Sequence, residues 1–158
     1  MTKEEQVVNE LEQKFPFLEG KCTVNRVRRI TVEVNLLDVA DVMDFAKTGL
    51  EFDFLCTITG LDVGDNLQFI YHIANKDGII INLKTEAPKS DPKIKTVTGI
   101  YNGAVFYERE LEDLLGAQVS GLPEGRHYPL PDNWPEGQYP LRKEWTPEGM
   151  DQIHKTEE

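Results

Sequence analysis

The chain has 158 residues, 39% of them hydrophobic, which suits a single globular domain with one core. It carries 28 acidic and 17 basic residues, a net charge of -11, so it repels nucleic-acid phosphates and anionic lipid head groups. These totals argue against direct binding to nucleic acid or to a membrane surface.

Neither the cysteines nor the N-terminus points to secretion. Cys22 and Cys56 have no second Cys or His at metal-ligand spacing, so we expect free, buried thiols in an intracellular protein. The acidic N-terminus lacks the basic start and apolar run of a signal peptide. Since no later window holds the about 20 apolar residues of a membrane span, we expect a soluble chain that reaches a membrane only through a partner.

The first half of the chain predicts two helices on either side of a strand. Thr2 and Glu5 form a capping box for a first helix, which Pro16 and Gly20 end. Its apolar stripe consists of Val7, Val8, Leu11 and Phe15. Alternating side chains at residues 30–34 indicate a half-buried strand. Asp38 caps a second helix that ends at Gly49.

Three strands follow at short intervals, at residues 51–62, 66–75 and 78–86, separated by turn sequences. We expect the first to place Phe52, Phe54, Cys56 and Ile58 on one face. The second places Leu67, Phe69, Tyr71 and Ile73 on one face. The pattern is typical of an antiparallel meander.

A last helix follows a crossover punctuated by Pro88 and Pro92, and Gly116 ends it. Its apolar stripe consists of Tyr107, Leu111, Leu114 and Leu115. The predicted fold class is α+β: a mostly antiparallel sheet of about four strands packed with helices, followed by a C-terminal helix and an extended Pro-rich arm. We divide the chain into a core domain, residues 1–120, and an arm, residues 121–158.

Residues able to carry catalysis are few. Glu108 and Glu112 share a helical face and could form a carboxylate pair or bind a divalent metal, but an exposed or partner-facing charged face explains them as well. Arg109 and Asp113, four residues apart, can pair along the helix. No glycine-rich phosphate loop is present.

The three histidines stand apart from one another and from other ligand types. His72 falls on the outward face of its strand, His127 lies in the arm and His154 is near the C-terminus. None has a ligand partner at metal spacing, so we expect no metal site and no cofactor.

The arm is the unusual feature of the sequence. Residues 121–145 hold five prolines, both tryptophans and no helical or strand period. Disordered segments are poor in aromatic residues, so this one should pack on something. Prolines preset an extended backbone, and Trp, Tyr and Arg dominate binding energy at interfaces. The alternative is an arm that folds back over its own sheet.

Two C-terminal motifs resemble the family of the 30-kilodalton subunit, or C subunit, of NADH-quinone oxidoreductase. Residues 107–116 match a helix of the form Y-E-R-E-x-x-D-x-(F/L)-G, and residues 140–144 match a P-L-R-K-(D/E) element. Upstream, residues 52–62 match an F-x-x-L-x-x-x-x-x-x-D run before a strand containing Y-H. The arm looks more like members from membrane-bound nickel-iron hydrogenase and formate hydrogenlyase complexes than like respiratory members.

The resemblance implies a non-catalytic subunit of the peripheral arm of such a complex, on the cytoplasmic side, without its own cofactor. Its partners would be the large catalytic subunit and the neighbouring iron-sulfur subunit, and the isolated chain could form a homodimer. We expect the following side chains at the partner interface: Glu108, Arg109, Glu110, Asp113, Tyr128, Trp134, Tyr139, Arg142, Lys143 and Trp145.

Two other functions stay open from the sequence. One is a stand-alone α+β module that binds a small ligand or peptide in a concave pocket. The other is a hydrolase that uses Glu108, Glu112 and His127.

Overall fold

The computed structural model describes residues 1–150. Three α-helices lie at Lys3–Lys14 (α1), Val39–Leu50 (α2) and Ala104–Leu115 (α3). Strands lie at Cys22–Arg26 (β1), Arg29–Glu33 (β2), Phe54–Asp62 (β3), Asn66–Ala74 (β4), Ile80–Pro88 (β5), Lys93–Lys95 (β6) and Gln118–Ser120 (β7). Short 3-10 turns lie at Pro16–Leu18, Leu36–Asp38 and Pro147–Met150.

Five strands form the main sheet in the order β1-β2-β5-β4-β3, in which only the β2–β5 pair is parallel. The α+β class with a mostly antiparallel sheet is therefore confirmed. A fifth strand arises because residues 22–33 form a hairpin instead of a single strand. The sequence lacks a glycine turn signal there. Arg28 adopts φ 62°, and its N–H donates to the Glu4 carboxylate of α1 at 2.7 Å. This hydrogen bond stabilises the turn, which has no glycine to favour the left-handed conformation.

The core lies on one face of this sheet, under α1, α2 and α3, and it includes Leu111 and Leu115 of α3, which lie against Gly60 of β3. The predicted inward face of β4, made of Leu67, Phe69, Tyr71 and Ile73, is buried throughout, which confirms that prediction. The capping box of α1 is also confirmed: the Glu5 N–H donates to Thr2 Oγ1 at 3.1 Å, and the Thr2 N–H donates to Glu5 Oε2 at 2.7 Å.

The predicted ends of α2 are wrong in detail. Asp38 precedes the helix but makes no capping hydrogen bond with its side chain. Gly49 lies inside the helix, which ends at Leu50, and Glu51 takes the left-handed conformation at φ 58°. A Cβ on Gly49 would lie 2.7 Å from the Phe45 ring, so this glycine makes room for an aromatic side chain and does not end the helix.

The predicted inward face of β3 is only partly correct. Phe52 and Ile58 are buried, but Phe54 is 61% exposed and Cys56 is also exposed. The pairing with β4 shifts between Leu55 and Thr57, so a bulge at Cys56 interrupts the alternation. Both thiols are free, as expected, but neither is fully buried: Cys22 is half-buried and Cys56 is exposed. Burial raises the pKa of Cys22 to about 11.

The crossover between the sheet and α3 contains a feature that the sequence did not suggest. β6 pairs in parallel with β7, which follows α3, and the two form a separate two-stranded ribbon. Ile94 and Val119, at the centres of these strands, are buried. This ribbon fixes the start and the end of α3, the helix that carries several of the predicted interface residues.

Candidate partner-docking surface

Glu108 lies inside the chain and not on an exposed charged face, contrary to the expectation. It has no solvent exposure. Its carboxylate accepts the Thr96 hydroxyl at 2.6 Å and the Val97 N–H at 2.7 Å, so it ties the crossover to α3. Burial, and the neighbouring Glu112 carboxylate, raise the pKa of Glu108 despite these two donors.

Asp113 is also buried, and it holds the arm to α3. One carboxylate oxygen lies 2.7 Å from Nδ1 of His127, and the other accepts the N–H groups of Tyr128 at 2.6 Å and Leu130 at 3.3 Å. The predicted Arg109–Asp113 pair is wrong, because Arg109 instead donates to the backbone oxygen of Pro123. Both residues therefore bind the arm of their own chain.

The P-L-R-K-E element, residues 140–144, caps the C-terminal end of α3. The last carbonyls of a helix have no partner within the helix. Here the Leu141 N–H donates to the Leu114 oxygen at 3.0 Å, and Nε of Arg142 donates to the Leu115 oxygen at 2.7 Å. The Tyr139 ring covers Gly116, whose φ of 72° and lack of a Cβ both suit this position.

Asp62 anchors the arm a second time, at the turn after β3. It accepts the Lys143 N–H at 2.8 Å and the Gly64 N–H at 3.0 Å, and it pairs with the Lys89 ammonium at 2.6 Å. Burial alone would raise the pKa of Asp62, but the bonds from Lys89, Lys143 and Gly64 outweigh it and lower the pKa to about 2. Lys89 also pairs with Glu144 at 3.0 Å.

The two tryptophans of the arm pack on each other. The rings of Trp134 and Trp145 are stacked with centroids 6.5 Å apart. Both indole N–H groups donate to Gln138, one to its backbone oxygen at 2.8 Å and one to its side chain at 3.1 Å. The described part of the arm, residues 121–150, therefore folds back on its own chain. It does not cover the sheet but lies against α3 and the β3–β4 turn, where polar contacts hold it.

An exposed aromatic pair lies where the arm meets α3. Phe106 is 57% exposed and Tyr128 is 48% exposed, and their rings meet edge to face with centroids 5.5 Å apart. Glu110, one helical turn after Phe106, makes no side-chain hydrogen bond or ion pair with residues 1–150. We call Phe106, Glu110 and Tyr128 the docking surface.

Phe106 was missed in the sequence, although a signal exists. It lies outside the apolar stripe of α3, so an amphipathic helix facing water on that side would not be expected to carry it. An apolar residue on the polar face of such a helix is the pattern that could have identified it. Lys143, by contrast, was predicted, and its side chain is exposed.

The residues considered for catalysis do not converge. Glu112 and His127 line one cavity between α3 and the arm, but Glu108 does not reach it. His72 lies on the open face of the sheet, 2.9 Å from the Thr59 hydroxyl and 2.7 Å from the Asn82 side-chain oxygen. His154 lies outside the described residues. Within residues 1–150, no group of three or more His, Cys, Asp or Glu side chains could hold a metal ion.

Comparison with known proteins gives consistent results. The model of the family described as "Respiratory-chain NADH dehydrogenase, 30 Kd subunit" matches residues 32–151. The C subunit of the F(420)H(2) dehydrogenase of Methanosarcina mazei is 33% identical over 142 residues, covering 88% of this chain and 89% of that protein. The membrane-bound hydrogenase subunit beta of Pyrococcus furiosus is 29% identical over 157 residues, covering 90% and 86%.

A solved structure gives the same answer. The chain superposes with a TM-score of 0.83 and 25% identity on a chain of the membrane-bound sulfane sulfur reductase, an archaeal respiratory membrane complex, covering 99% and 92% of the two chains. These similarities define the class of protein, a subunit of multi-subunit oxidoreductase complexes. Within that class, the chain belongs to the family of the 30 Kd subunit of respiratory-chain NADH dehydrogenase.

The resemblance to the 30-kilodalton subunit family is thereby confirmed, and a membrane-bound hydrogenase subunit is among the relatives. Relatives of the chain belong to membrane-bound complexes. In the described part of the chain, residues 1–150, the helices are too short or too polar to cross a membrane.

Proposed function

We propose that the chain is a non-catalytic scaffold subunit of the peripheral arm of a membrane-associated electron-transfer complex. It docks on the large catalytic subunit and on the neighbouring iron-sulfur subunit, on the cytoplasmic side of the membrane. Family membership supports the assignment to such a complex. The docking surface carries the finer proposal of how the subunit binds.

The docking surface has the chemistry of an interface anchor. Tyr and other large aromatic residues dominate binding energy at protein interfaces when they enter pockets on a partner. The backbone N–H of Tyr128 donates to Asp113 and its ring contacts Phe106, which reduces the conformational freedom that binding must remove. The buried Asp113 therefore contributes to docking by positioning Tyr128 and not by touching the partner.

The charge on the docking surface indicates which side chains the partner should present. Glu110 lies four residues after Phe106, on the same side of α3. Its carboxylate needs an opposite charge if the contact excludes water, so the partner surface should combine an apolar pocket with a basic side chain. Trp134, Lys143 and Trp145 stay predicted partner contacts, whereas Tyr139 and Arg142 act mainly within the chain.

The experiment is copurification of the assembled complex through a tag on the full-length chain. Tyr128→Ser and Phe106→Ser, alone and together, should reduce recovery of the large subunit, and the double change should lower affinity by about 2 kcal/mol or more. The isolated variants should keep their far-UV circular dichroism, because both side chains are largely exposed.

Val27→Ser is the matched control, since Val27 is 79% exposed at the β1–β2 turn, away from the docking surface. It should leave recovery of the large subunit unchanged. Normal recovery with the folded double variant would contradict this docking surface. No recovery of any oxidoreductase subunit with the unaltered chain would contradict the scaffold proposal itself.

One observation favours a second function, a small-ligand binding module. A cavity of about 340 Å³ between α3 and the arm is lined by Arg109, Glu112, His127, Trp134 and Tyr139 among others. This volume reaches the lower end of the range for small-molecule pockets, about 300 to 1,000 Å³. A thermal-shift screen of the isolated chain with small metabolites should give no stabilisation if the scaffold proposal is correct.

A further inference from the structure

A second concave site lies away from the docking surface. It is a cavity of about 220 Å³ between the 3-10 turn at Leu36–Asp38, the start of α2 and β6. Leu36, Leu37, Val39, Ala40 and Ile94 supply most of its lining, and Tyr71 contributes from β4. None of these residues belongs to the arm or to α3.

One apolar side chain of this site faces outward, whereas Val39 and Ile94 are buried. Leu37 is 92% exposed at the rim of the cavity. A single exposed leucine is ordinary on a protein surface, but this one borders a concave apolar site. Tyr71 is buried, with only 1% of its surface exposed, and its hydroxyl forms no hydrogen bond with the described residues. The site thus offers apolar contacts together with the hydroxyl groups of Tyr71 and Ser120.

The charged side chains that line the cavity are both lysines. Lys93 and Lys95 line it, both exposed and two residues apart on the same side of β6, and no carboxylate lines it. Lys93 pairs with Asp91 at 3.0 Å, but the Lys95 ammonium has no carboxylate within 4.0 Å among residues 1–150. On a chain with a net charge of -11, this positive rim selects for an occupant that carries negative charge.

The size of the cavity limits the kind of occupant. About 220 Å³ is below the range of about 300 to 1,000 Å³ that small-molecule and cofactor pockets occupy. One or two side chains of a protein segment fit this space better than a nucleotide or a flavin. A segment can also place a carboxylate against Lys95 while its apolar side chain enters the cavity.

We propose that this cavity is a second docking site, which binds a segment of a neighbouring subunit with a large apolar side chain beside one or more carboxylates. The inference rests on the proposed function, because it requires the chain to sit in a complex. The apolar side chain contacts Leu37 and Tyr71, and the carboxylate pairs with Lys95.

Photo-crosslinking in the assembled complex tests the site directly. A benzophenone amino acid replaces Leu37 in the tagged full-length chain, and the crosslinked peptide is identified by mass spectrometry. The expected adduct lies on another oxidoreductase subunit, within a segment that carries Asp or Glu next to a large apolar residue. The same amino acid at position 27 is the control for nonspecific reaction and should not give this adduct.

Charge reversal provides the second readout. Lys95→Glu should lower the yield of the adduct about tenfold or more, since it places like charges opposite each other across the interface, and Lys95→Gln should lower it less. Lys21→Glu, a reversal at an exposed lysine outside this cavity, should leave the yield unchanged. Replacing the crosslinked segment's carboxylate by Lys should restore the yield with Lys95→Glu.

The outcomes separate this inference from the proposed function. An adduct to residues 151–158 of the same chain, an adduct to a second copy of the chain, or no adduct in a complex that has assembled would each overturn the second docking site alone. An adduct to a segment without carboxylates, unaffected by Lys95→Glu, would also overturn it. Failure of the unaltered chain to copurify with any oxidoreductase subunit would overturn both proposals.

Discussion

Two regions of the molecule, the core and the arm, are stabilised by different interactions. Under α1 and α2, apolar side chains such as Leu11, Met43 and Phe69 have no solvent exposure, and burial of apolar surface stabilises this part. Where the arm meets the rest of the chain, two shielded carboxylates, Asp62 and Asp113, accept backbone N–H groups of the arm instead. Within residues 121–148, for which burial is described, no apolar side chain is fully buried.

The difference explains how a proline-rich segment can be ordered and still present aromatic groups to a partner. A segment held by apolar burial has to turn its large side chains inward. The arm is held largely through its backbone and polar side chains, so Tyr128 stays 48% exposed while its N–H is bound. Polar anchoring therefore fits a segment whose side chains serve a neighbouring protein.

The largest expected effect tests the apolar half of this comparison. Phe69→Ala should lower the free energy of unfolding by about 3 to 5 kcal/mol, because it opens a cavity in the core. Far-UV circular dichroism reports the sheet and helices, while fluorescence of Trp134 and Trp145 reports the arm alone. Both signals should shift to lower denaturant concentration together.

Phe54→Ala is the matched control, a change of the same residue type on the same sheet. Phe54 is 61% exposed, so the change should alter the free energy of unfolding by only about 0.5 kcal/mol or less. A large loss with Phe54→Ala would mean that the bulge at Cys56 is absent and that Phe54 faces the core, as the sequence pattern suggested.

The apolar half could be predicted from the sequence, and the polar half could not. Periodicity identified α1, the buried face of β4 and the stripe of α3, because apolar residues that share a face must be buried together. Nothing in the spacing of charges distinguishes a carboxylate in water from one that binds distant N–H groups. Asp62 and Lys143 are 81 residues apart, so only the fold shows that they meet.

The same limit applies to the candidate site. Tyr128 and Glu110 were identified because of residue type and motif, whereas Glu108 and Asp113 were placed outward on a helix that in fact buries them. Polar residues are usually exposed unless they are paired, and the pairing partners lie in the crossover and the arm. Phe106 was missed for the opposite reason, because large apolar residues are usually buried and this one is not.

Asp113→Ala addresses the polar half and should have a smaller effect. It removes the acceptor for the N–H groups of Tyr128 and Leu130, at a cost of about 1 to 3 kcal/mol. Because the loss falls on the arm, the fluorescence transition should precede the transition seen by circular dichroism. Trypsin should also cleave after Arg126 faster in this variant than in the unaltered chain.

Glu110→Ala is the control for this change, on the same helix but without a side-chain partner in the described chain. It should leave the two transitions coincident. If Asp113→Ala shifts both transitions equally, the arm and the core unfold as one unit, and the division into residues 1–120 and 121–158 is wrong.

The smallest expected effect concerns the pH dependence of stability, and Glu108 determines its sign. Burial raises the pKa of Glu108, so the folded chain keeps this proton at pH values where the unfolded chain has lost it. Stability must then fall as the pH rises from the ordinary range of Glu through the raised pKa. Glu112, whose pKa burial also raises, contributes in the same direction. The stabilisation from Asp62 is lost at lower pH, as the pH falls from the ordinary range of Asp through its lowered pKa of about 2.

Glu108→Gln removes the titrating group and can keep its contacts, since the amide oxygen still accepts the Val97 N–H and the amide N–H can donate to Thr96 Oγ1. Urea unfolding between about pH 5 and about pH 8 should therefore give a shallower fall in stability than in the unaltered chain, although Glu112 keeps the slope from vanishing. Glu124→Gln, a change at an exposed residue of the arm, should not alter the slope. If Glu108→Gln leaves the pH dependence of the unfolding free energy unchanged, Glu108 is already ionised in the folded chain. The hydrogen bonds from Thr96 and Val97 would then outweigh the effect of burial on its pKa.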